Sequence, residues 1–303
     1  MAGLAMLAGC ASAPAPTPSR VPVPEPPPPA APPVAAPPPT PPPPLKPPRI
    51  GLALGGGAAR GFAHIGVIQV LEENRIRPDL VVGTSAGSLV AALYAAGKTG
   101  AQLGQLAESM DESAITDWEF PSRALLRGEA LARYVRQQTG GRTIEQMPIP
   151  LGIVATDLDS GQGVLFQRGD AGLAVRASSA VPAVFQPVKI GSREYVDGGL
   201  VAPVPVHYAR QMGAELVVAV DISAAPDGNP TSDAMRMLLQ TFAIMGRSIN
   251  GYELRDADVV LRPRLPGVSS ADFASRKRSI QAGRDAALAA LPQLKARIAA
   301  LMH

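Results

Sequence analysis

Two strand–glycine–helix units in tandem constrain the fold of this chain more than any other feature. The segment "RIGLALGGG" (49–57) has the pattern of a buried strand that runs into a glycine turn, and "PDLVVG" (78–83) repeats it. Apolar residues at helical spacing follow each unit, and the second helix is expected to end near Gly97. Successive units of this kind build a parallel sheet with right-handed crossovers. The pattern therefore predicts an α/β fold.

The rest of the chain continues the alternation of strands and helices. Further strands are predicted at 151–156, 194–199, 215–222 and 258–263. Helices are predicted at 101–110, 129–138, 171–178, 232–250 and 279–302. We assign these elements to one domain over 49–265 and to a helical extension over 266–303 that packs on it.

The N-terminal part has a different composition. Residues 14–48 hold 20 of the 33 prolines, which remove backbone donors and prevent helix or sheet. We therefore expect 11–48 to be a disordered linker that extends over roughly 100 Å. The apolar segment 1–10 ends in "LAGC" and resembles a bacterial lipobox, although it lacks a basic start. That resemblance implies lipid modification at Cys10, and with it a lipid-anchored protein of the bacterial cell envelope, at the outer membrane or its periplasmic face.

Charge and cysteine content exclude several kinds of protein. The net charge of +3 over 303 residues, with no block of Lys or Arg, argues against a nucleic-acid partner. Cys10 is the only cysteine, so internal disulfides and cysteine-based metal sites are excluded. We expect no cofactor and no metal, and the sequence gives no oligomeric state.

A serine stands between two glycines in "GTSAG" (83–87). Gly83 and Gly87 relieve crowding at a sharp strand-to-helix turn and let the Ser85 hydroxyl project above a helix N-terminus. The same pattern also occurs where a serine simply caps a helix. The preceding strand and the following helix favour a nucleophile.

The first glycine turn, "GGGAARG" (55–61), has two interpretations. Glycines allow backbone N–H groups to approach an oxyanion closely, which acyl transfer requires. The spacing is also close to a dinucleotide-binding fingerprint, which predicts binding of NAD(P) by an oxidoreductase. That fingerprint expects an acid at the end of the next strand, whereas Asp79 precedes it. Arg60 could steady the loop or pair with an anionic substrate.

The base that activates Ser85 is not settled by the sequence. Asp197 ends a predicted strand and is followed by Gly198 and Gly199, so it is a candidate base if burial raises its pKa. His207 is the rival, because Ser85, then an acid, then His207 matches the chain order of α/β-hydrolases. The acid of that triad would be Asp157 or Asp197. His64 is expected to pack within a helix, and the terminal His303 to be mobile.

"GGGAARG", "GTSAG" and "DGG" occur in the order found in the patatin-like phospholipase family, which this chain resembles over about 49–265. "ASSAVPAVFQPV" (177–188) resembles bacterial members of that family. The resemblance implies a three-layer α/β/α fold with a mostly parallel central sheet and a Ser–Asp dyad without histidine. Ser85 would be the nucleophile and Asp197 the proton acceptor. An oxyanion hole would come from Gly55, Gly56, Gly57 and Ala58, with Arg60 beside them.

The substrates implied are phospholipids, lysophospholipids or other acyl esters, cleaved without calcium. One departure is Ala202, where many relatives have an Asn that braces the loop after the aspartate. This departure and the long spacer leave open a catalytically weak or vestigial lipid-binding envelope protein. The stretch 111–128, with Trp118 and Phe120, could be a lid, a membrane-contacting segment or part of the core.

Overall fold

A computed structural model describes residue 15 and residues 46–111, 113, 115, 117, 124–226, 231–269 and 272–302. Contacts between residues divide the chain into two units, 1–44 and 45–303, and all the strands and helices named here belong to the second unit. Cys10, most of the predicted linker 11–48, Trp118 and Phe120 lie outside the described residues. The predictions made for them therefore stay predictions.

The described strands form one eight-stranded sheet. In chain order they are β1 Ile50–Leu54, β2 Leu80–Thr84, β3 Leu151–Asp157, β4 Gly163–Phe166, β5 Val188–Ile190, β6 Arg193–Asp197, β7 Leu216–Val220 and β8 Val259–Leu261. The order across the sheet is β5-β6-β3-β2-β1-β7-β8, and β4 pairs with β3. The central strands are buried along their whole length, as strands covered on both faces must be.

The predicted α/β class is confirmed, and the sheet is mixed. Five strands, β3, β2, β1, β7 and β8, run parallel, whereas β4, β5 and β6 pair antiparallel. The two strand–glycine–helix units supply β1 and β2, as the sequence pattern predicts. The short strands β4 and β5 were not predicted.

Helices cover both faces of the sheet. They are α1 Phe62–Glu73, α2 Ala86–Ala95, α3 Gly100–Ser109, α4 Glu129–Gln138, α5 Ala171–Ser178, α6 Val206–Gln211, α7 Ala234–Glu253 and α8 Arg276–Ala300. Side chains alternate between the faces of β1: Leu52 and Leu54 join the core under α1, α2 and α8, whereas Ala53 packs with α6. The result is a helix–sheet–helix sandwich.

The final helix lies in the segment predicted as a C-terminal extension and packs closely on α1. A Cβ at Gly66 of α1 would lie 1.9 Å from the Ile280 carbonyl oxygen, and one at Gly283 of α8 would lie 1.9 Å from the Ala63 oxygen. Glycines at the crossing therefore let the two helix backbones touch. Among the described residues, no helix combines the length and apolar character needed to cross a bilayer.

Candidate active site

Ser85 occupies the sharp turn between β2 and α2. Its backbone has φ 53° and ψ −124°, an unusual conformation for a residue with a side chain, of the kind that persists where surrounding packing enforces it. A Cβ at Gly83 would lie 2.5 Å from the Gly87 oxygen, and one at Gly87 would lie 2.1 Å from the Leu54 oxygen. Glycine is therefore required on both sides of Ser85, as the sequence pattern indicates.

The sheet register brings Asp197 to Ser85. Thr84, the last residue of β2, pairs with Val154 of β3, and Asp197, the last residue of β6, pairs with the next residue, Ala155. A Cβ at Gly198 would lie 2.2 Å from the Val154 oxygen and 3.2 Å from the Thr84 side chain. The ends of β2 and β6 therefore meet at neighbouring positions on β3, although 112 residues separate Ser85 from Asp197 in the sequence.

The Asp197 carboxyl is buried, with 6% of the residue exposed. Burial raises its pKa to about 6, while the Ser85 hydroxyl and the Gly199 N–H oppose that rise because they stabilise the ionised form. Oδ1 accepts the Gly199 N–H at 2.7 Å. Oδ2 has no hydrogen bond of regular geometry from any described residue, so it remains able to accept a proton. A carboxylate in this state is a stronger base than one in water.

Two buried hydroxyls, those of Ser178 and Thr156, hold the two turns in place. The Ser85 N–H donates to the Ser178 hydroxyl at 2.8 Å, and that hydroxyl donates to the Val154 oxygen at 2.5 Å. The Thr156 hydroxyl donates to the Asp197 carbonyl at 2.8 Å. The sequence analysis gave these residues no role, because a buried serine or threonine has no local signature; Ser178 lay within the quoted "ASSAVP".

Ala202 bears on the question of a weakened site. It is fully buried, its N–H donates to the Gly198 oxygen at 2.9 Å, and its carbonyl accepts the Thr84 hydroxyl at 2.8 Å. Backbone groups and Thr84, which precedes Ser85, therefore brace the loop after Asp197. The loop is therefore tied to β2 even though position 202 has no asparagine side chain.

The predicted oxyanion loop requires a correction. The Gly55 N–H donates to the Val220 oxygen at 3.0 Å and the Gly56 N–H to the Pro203 oxygen at 2.9 Å, so neither is a spare donor. Gly57 and Ala58 N–H groups have no acceptor among the described residues, and Ala58 has a positive φ of 51°. Gly56 packs beside Ser85, since a Cβ there would lie 3.2 Å from the Ser85 Cβ. The available donors are therefore Gly57 and Ala58.

Two basic residues accompany this loop, Arg60 within it and His64 just after it. His64 is fully buried, and its Nε2–H donates to the Gly55 carbonyl at 2.8 Å. Burial lowers its pKa to about 4, so it is neutral at pH 7 and braces the loop as a donor. Burial also lowers the pKa of Arg60, which Asp221 opposes, and its Nε has no partner among the described residues.

The rival catalytic groups have other partners. The His207 ring Nδ1 lies 2.6 Å from Glu253 Oε1 on an exposed part of α6, and the ring contacts Tyr208. Asp157 accepts two backbone N–H groups and an Arg193 nitrogen at 2.6 Å, contacts that lower its pKa. Asp79 accepts the Ile50 N–H at the start of β1, away from the glycine turn where a nucleotide ribose would lie. These contacts favour Asp197 as the partner of Ser85.

A cavity of about 180 Å³ opens beside Ser85. It lies among α1, α2, α3 and α4, and the described residues that line it include no charged side chain. Ser85, Ser179 and Tyr134 are its polar members. Within the described ranges, no three His, Cys, Asp or Glu side chains converge as a metal site would require. The arrangement is a hydroxyl and a buried carboxylate at the edge of an apolar space.

The chain is similar in sequence to a known protein family and to proteins of bacteria and mammals. The family model for patatin-like phospholipases matches residues 52–210, a span that includes both Ser85 and Asp197. An uncharacterized NTE family protein of Mycobacterium bovis is 40% identical over 189 residues, which are 61% of this chain and 52% of that protein. Patatin-like phospholipase domain-containing protein 6 of Mus musculus is 34% identical over 184 residues, 58% of this chain and 14% of that protein. The chain thus spans about half of the bacterial relative.

Among solved structures, VipD from Legionella pneumophila superposes with a TM-score of 0.55. The match covers 82% of this chain and 67% of VipD at 14% sequence identity. At that identity the likeness concerns the fold alone.

Proposed function

This chain belongs to the patatin-like phospholipase family, and on that premise we propose that it is a serine hydrolase of lipid acyl esters. The observation that carries the proposal is the position of Ser85, on a strained turn facing a buried carboxylate at the edge of an uncharged cavity. Phospholipids, lysophospholipids and simpler acyl esters share the reacting group that this arrangement suits. The family resemblance supports the same class of substrate.

The proposed reaction begins when Asp197 Oδ2 takes the Ser85 proton and Oγ attacks the ester carbonyl carbon. The Gly57 and Ala58 N–H groups stabilise the tetrahedral oxyanion, aided by the α2 N-terminus. The carbon–oxygen bond to the alcohol then breaks, and the alcohol oxygen takes the proton from Asp197. In the second half, water attacks the acyl–Ser85 ester, loses a proton to Asp197 and releases the fatty acid as the proton returns to Ser85.

Calcium independence is part of the proposal. The family resemblance supports it. We expect hydrolysis to be unchanged by EDTA.

A fluorophosphonate probe tests the proposal directly. We expect the folded protein to react at Ser85 and to hydrolyse one or more members of a panel of phospholipid, lysophospholipid and simple ester substrates. A probe of this class reacts only with a serine that a neighbouring base has activated. A folded protein that neither labels at Ser85 nor hydrolyses any ester would favour the vestigial lipid-binding alternative.

We further propose that a lipid on Cys10 holds this hydrolase at a membrane of the bacterial envelope. The support is the sequence alone, a lipobox-like segment followed by a proline-rich spacer. Membrane fractionation of wild-type and Cys10→Ser protein tests it, since recovery of both in the same fraction would contradict an anchor.

A further inference from the structure

We propose that the cavity beside Ser85 receives one acyl chain of about seven or eight carbons, which makes medium-chain esters the preferred substrates. This inference rests on the proposed function and specifies its substrate class. It is carried by the shape, burial and chemistry of the cavity wall.

The wall consists of helix faces that converge on Ser85. Helix α2 begins directly after Ser85 and lines the cavity with Ala86, Leu89, Val90 and Leu93, which share one face at the spacing of successive turns. Helix α3 and the residue that follows it contribute a second face with the same spacing, from Leu103 to Met110. The cavity therefore follows α2 away from the candidate nucleophile.

Burial of the lining residues distinguishes the mouth of the cavity from its closed end. Ala58 is exposed, and Phe185 and Met110 are half-buried, so these residues mark the open side of the cavity. At the other end Leu93 is 5% exposed and Leu103 is 2% exposed, and both belong to the main hydrophobic core. A chain that enters at Ser85 therefore meets packed side chains rather than solvent at its far end.

Two independent measures of size agree on the length of chain that fits. From Ala86 to Leu93 is seven residues, or about 10 Å along the helix. An extended alkyl chain advances about 1.25 Å per carbon, given C–C bonds of roughly 1.5 Å at tetrahedral angles. The helix face thus matches about eight carbons. By volume, an apolar cavity of about 150 Å³ accepts a six-carbon ring, so 180 Å³ accommodates about seven carbons.

The chemistry of the wall limits the cavity to hydrocarbon. None of the described lining residues is charged, and a buried charge without a partner would carry a large desolvation cost. The alcohol or head group of the ester therefore stays outside, and discrimination by the cavity acts on chain length. Each methylene that finds room adds apolar burial until the closed end is reached, after which a longer chain must remain partly in water.

The test is a series of p-nitrophenyl esters from C4 to C16 with the full chain. We expect kcat/KM to rise by roughly fourfold per methylene up to about C8, and then to level off or fall. Leu103→Ala, which enlarges the closed end, should move the optimum at least two carbons longer, and Leu93→Phe should move it shorter. Leu71→Ala is the matched control, because Leu71 is as buried but does not line the cavity. Ratios between chain lengths within one preparation cancel any loss of folded protein.

A binding measurement separates this inference from the proposed function. Primary alcohols from 1-hexanol to 1-tetradecanol, titrated into Ser85→Ala protein, should gain affinity to about 1-octanol and no further. If this limit is observed and the wild-type protein hydrolyses no ester, the cavity assignment stands and the proposed hydrolase activity is rejected. Ester turnover that keeps rising to C16, or alcohol affinity that keeps rising to 1-tetradecanol, would overturn the chain-length inference and leave the hydrolase standing.

Discussion

Ser85→Ala is expected to lower kcat for ester hydrolysis by at least about 10³-fold, because the acyl–enzyme route needs the hydroxyl that this change removes. The fold should be unaffected. The backbone N–H of residue 85 keeps its bond to the Ser178 hydroxyl, and only one oxygen is lost from a residue that is 8% exposed. The measurement is steady-state hydrolysis of a p-nitrophenyl ester, with melting temperature recorded for both proteins.

His207→Ala is the control for this experiment. The His207 side chain is 46% exposed and pairs with Glu253, so its removal should leave kcat within about twofold of the wild type. If Ser85→Ala retained full activity, the hydrolysis would belong to another residue. If instead His207→Ala lost activity while Asp197→Asn kept it, the histidine triad would replace the proposed dyad.

Local sequence patterns were sufficient to predict the strands, turns and helices that carry Ser85 and the first glycine loop. The units around β1 and β2 each combine a buried apolar run with a glycine turn and a helix, signals contained within about 25 residues. The sharp turn at Ser85 follows from the same local pattern, since glycine is required at positions 83 and 87 by the close packing of backbone. Patterns of this length predicted the α/β class correctly.

Pairings between distant segments could not be predicted in the same way. The N–H groups of Gly55 and Gly56 were assigned to the oxyanion hole, yet their acceptors are the oxygens of Val220 and Pro203, respectively, which are far away in the sequence. No local pattern states that an N–H group is already occupied. The antiparallel direction of β6, which delivers Asp197 to β3 beside Thr84, likewise depends on long-range pairing.

Asp197 connects the chemistry of the site to the stability of the fold. Because only the ionised carboxylate can take the Ser85 proton, wild-type kcat/KM should rise with pH through about 6, the pKa to which burial raises this group. Asp197→Asn should lower kcat by about 10²- to 10⁴-fold at pH 7.5 and remove this limb from the profile of any residual activity. A pH profile measured for both proteins checks this, and an unchanged profile in the variant would assign the limb to another group.

The same substitution should stabilise the protein above pH 6. The folded state holds the Asp197 proton more tightly than the unfolded chain, so between about pH 4 and pH 6 the wild type loses stability as pH rises. A pKa raised from 3.8 to about 6 corresponds to about 3 kcal/mol in the free energy of unfolding. The wild type loses this contribution in full once the carboxyl is ionised in both the folded and the unfolded state. Asparagine removes that buried charge and retains an oxygen for the Gly199 N–H. We therefore expect Asp197→Asn to be more stable by up to about 3 kcal/mol in denaturant unfolding at pH 7.5, and for the difference to vanish below about pH 4. Equal stability of the two proteins at pH 7.5 would mean that Asp197 is ionised without penalty and is not the strengthened base that the dyad requires.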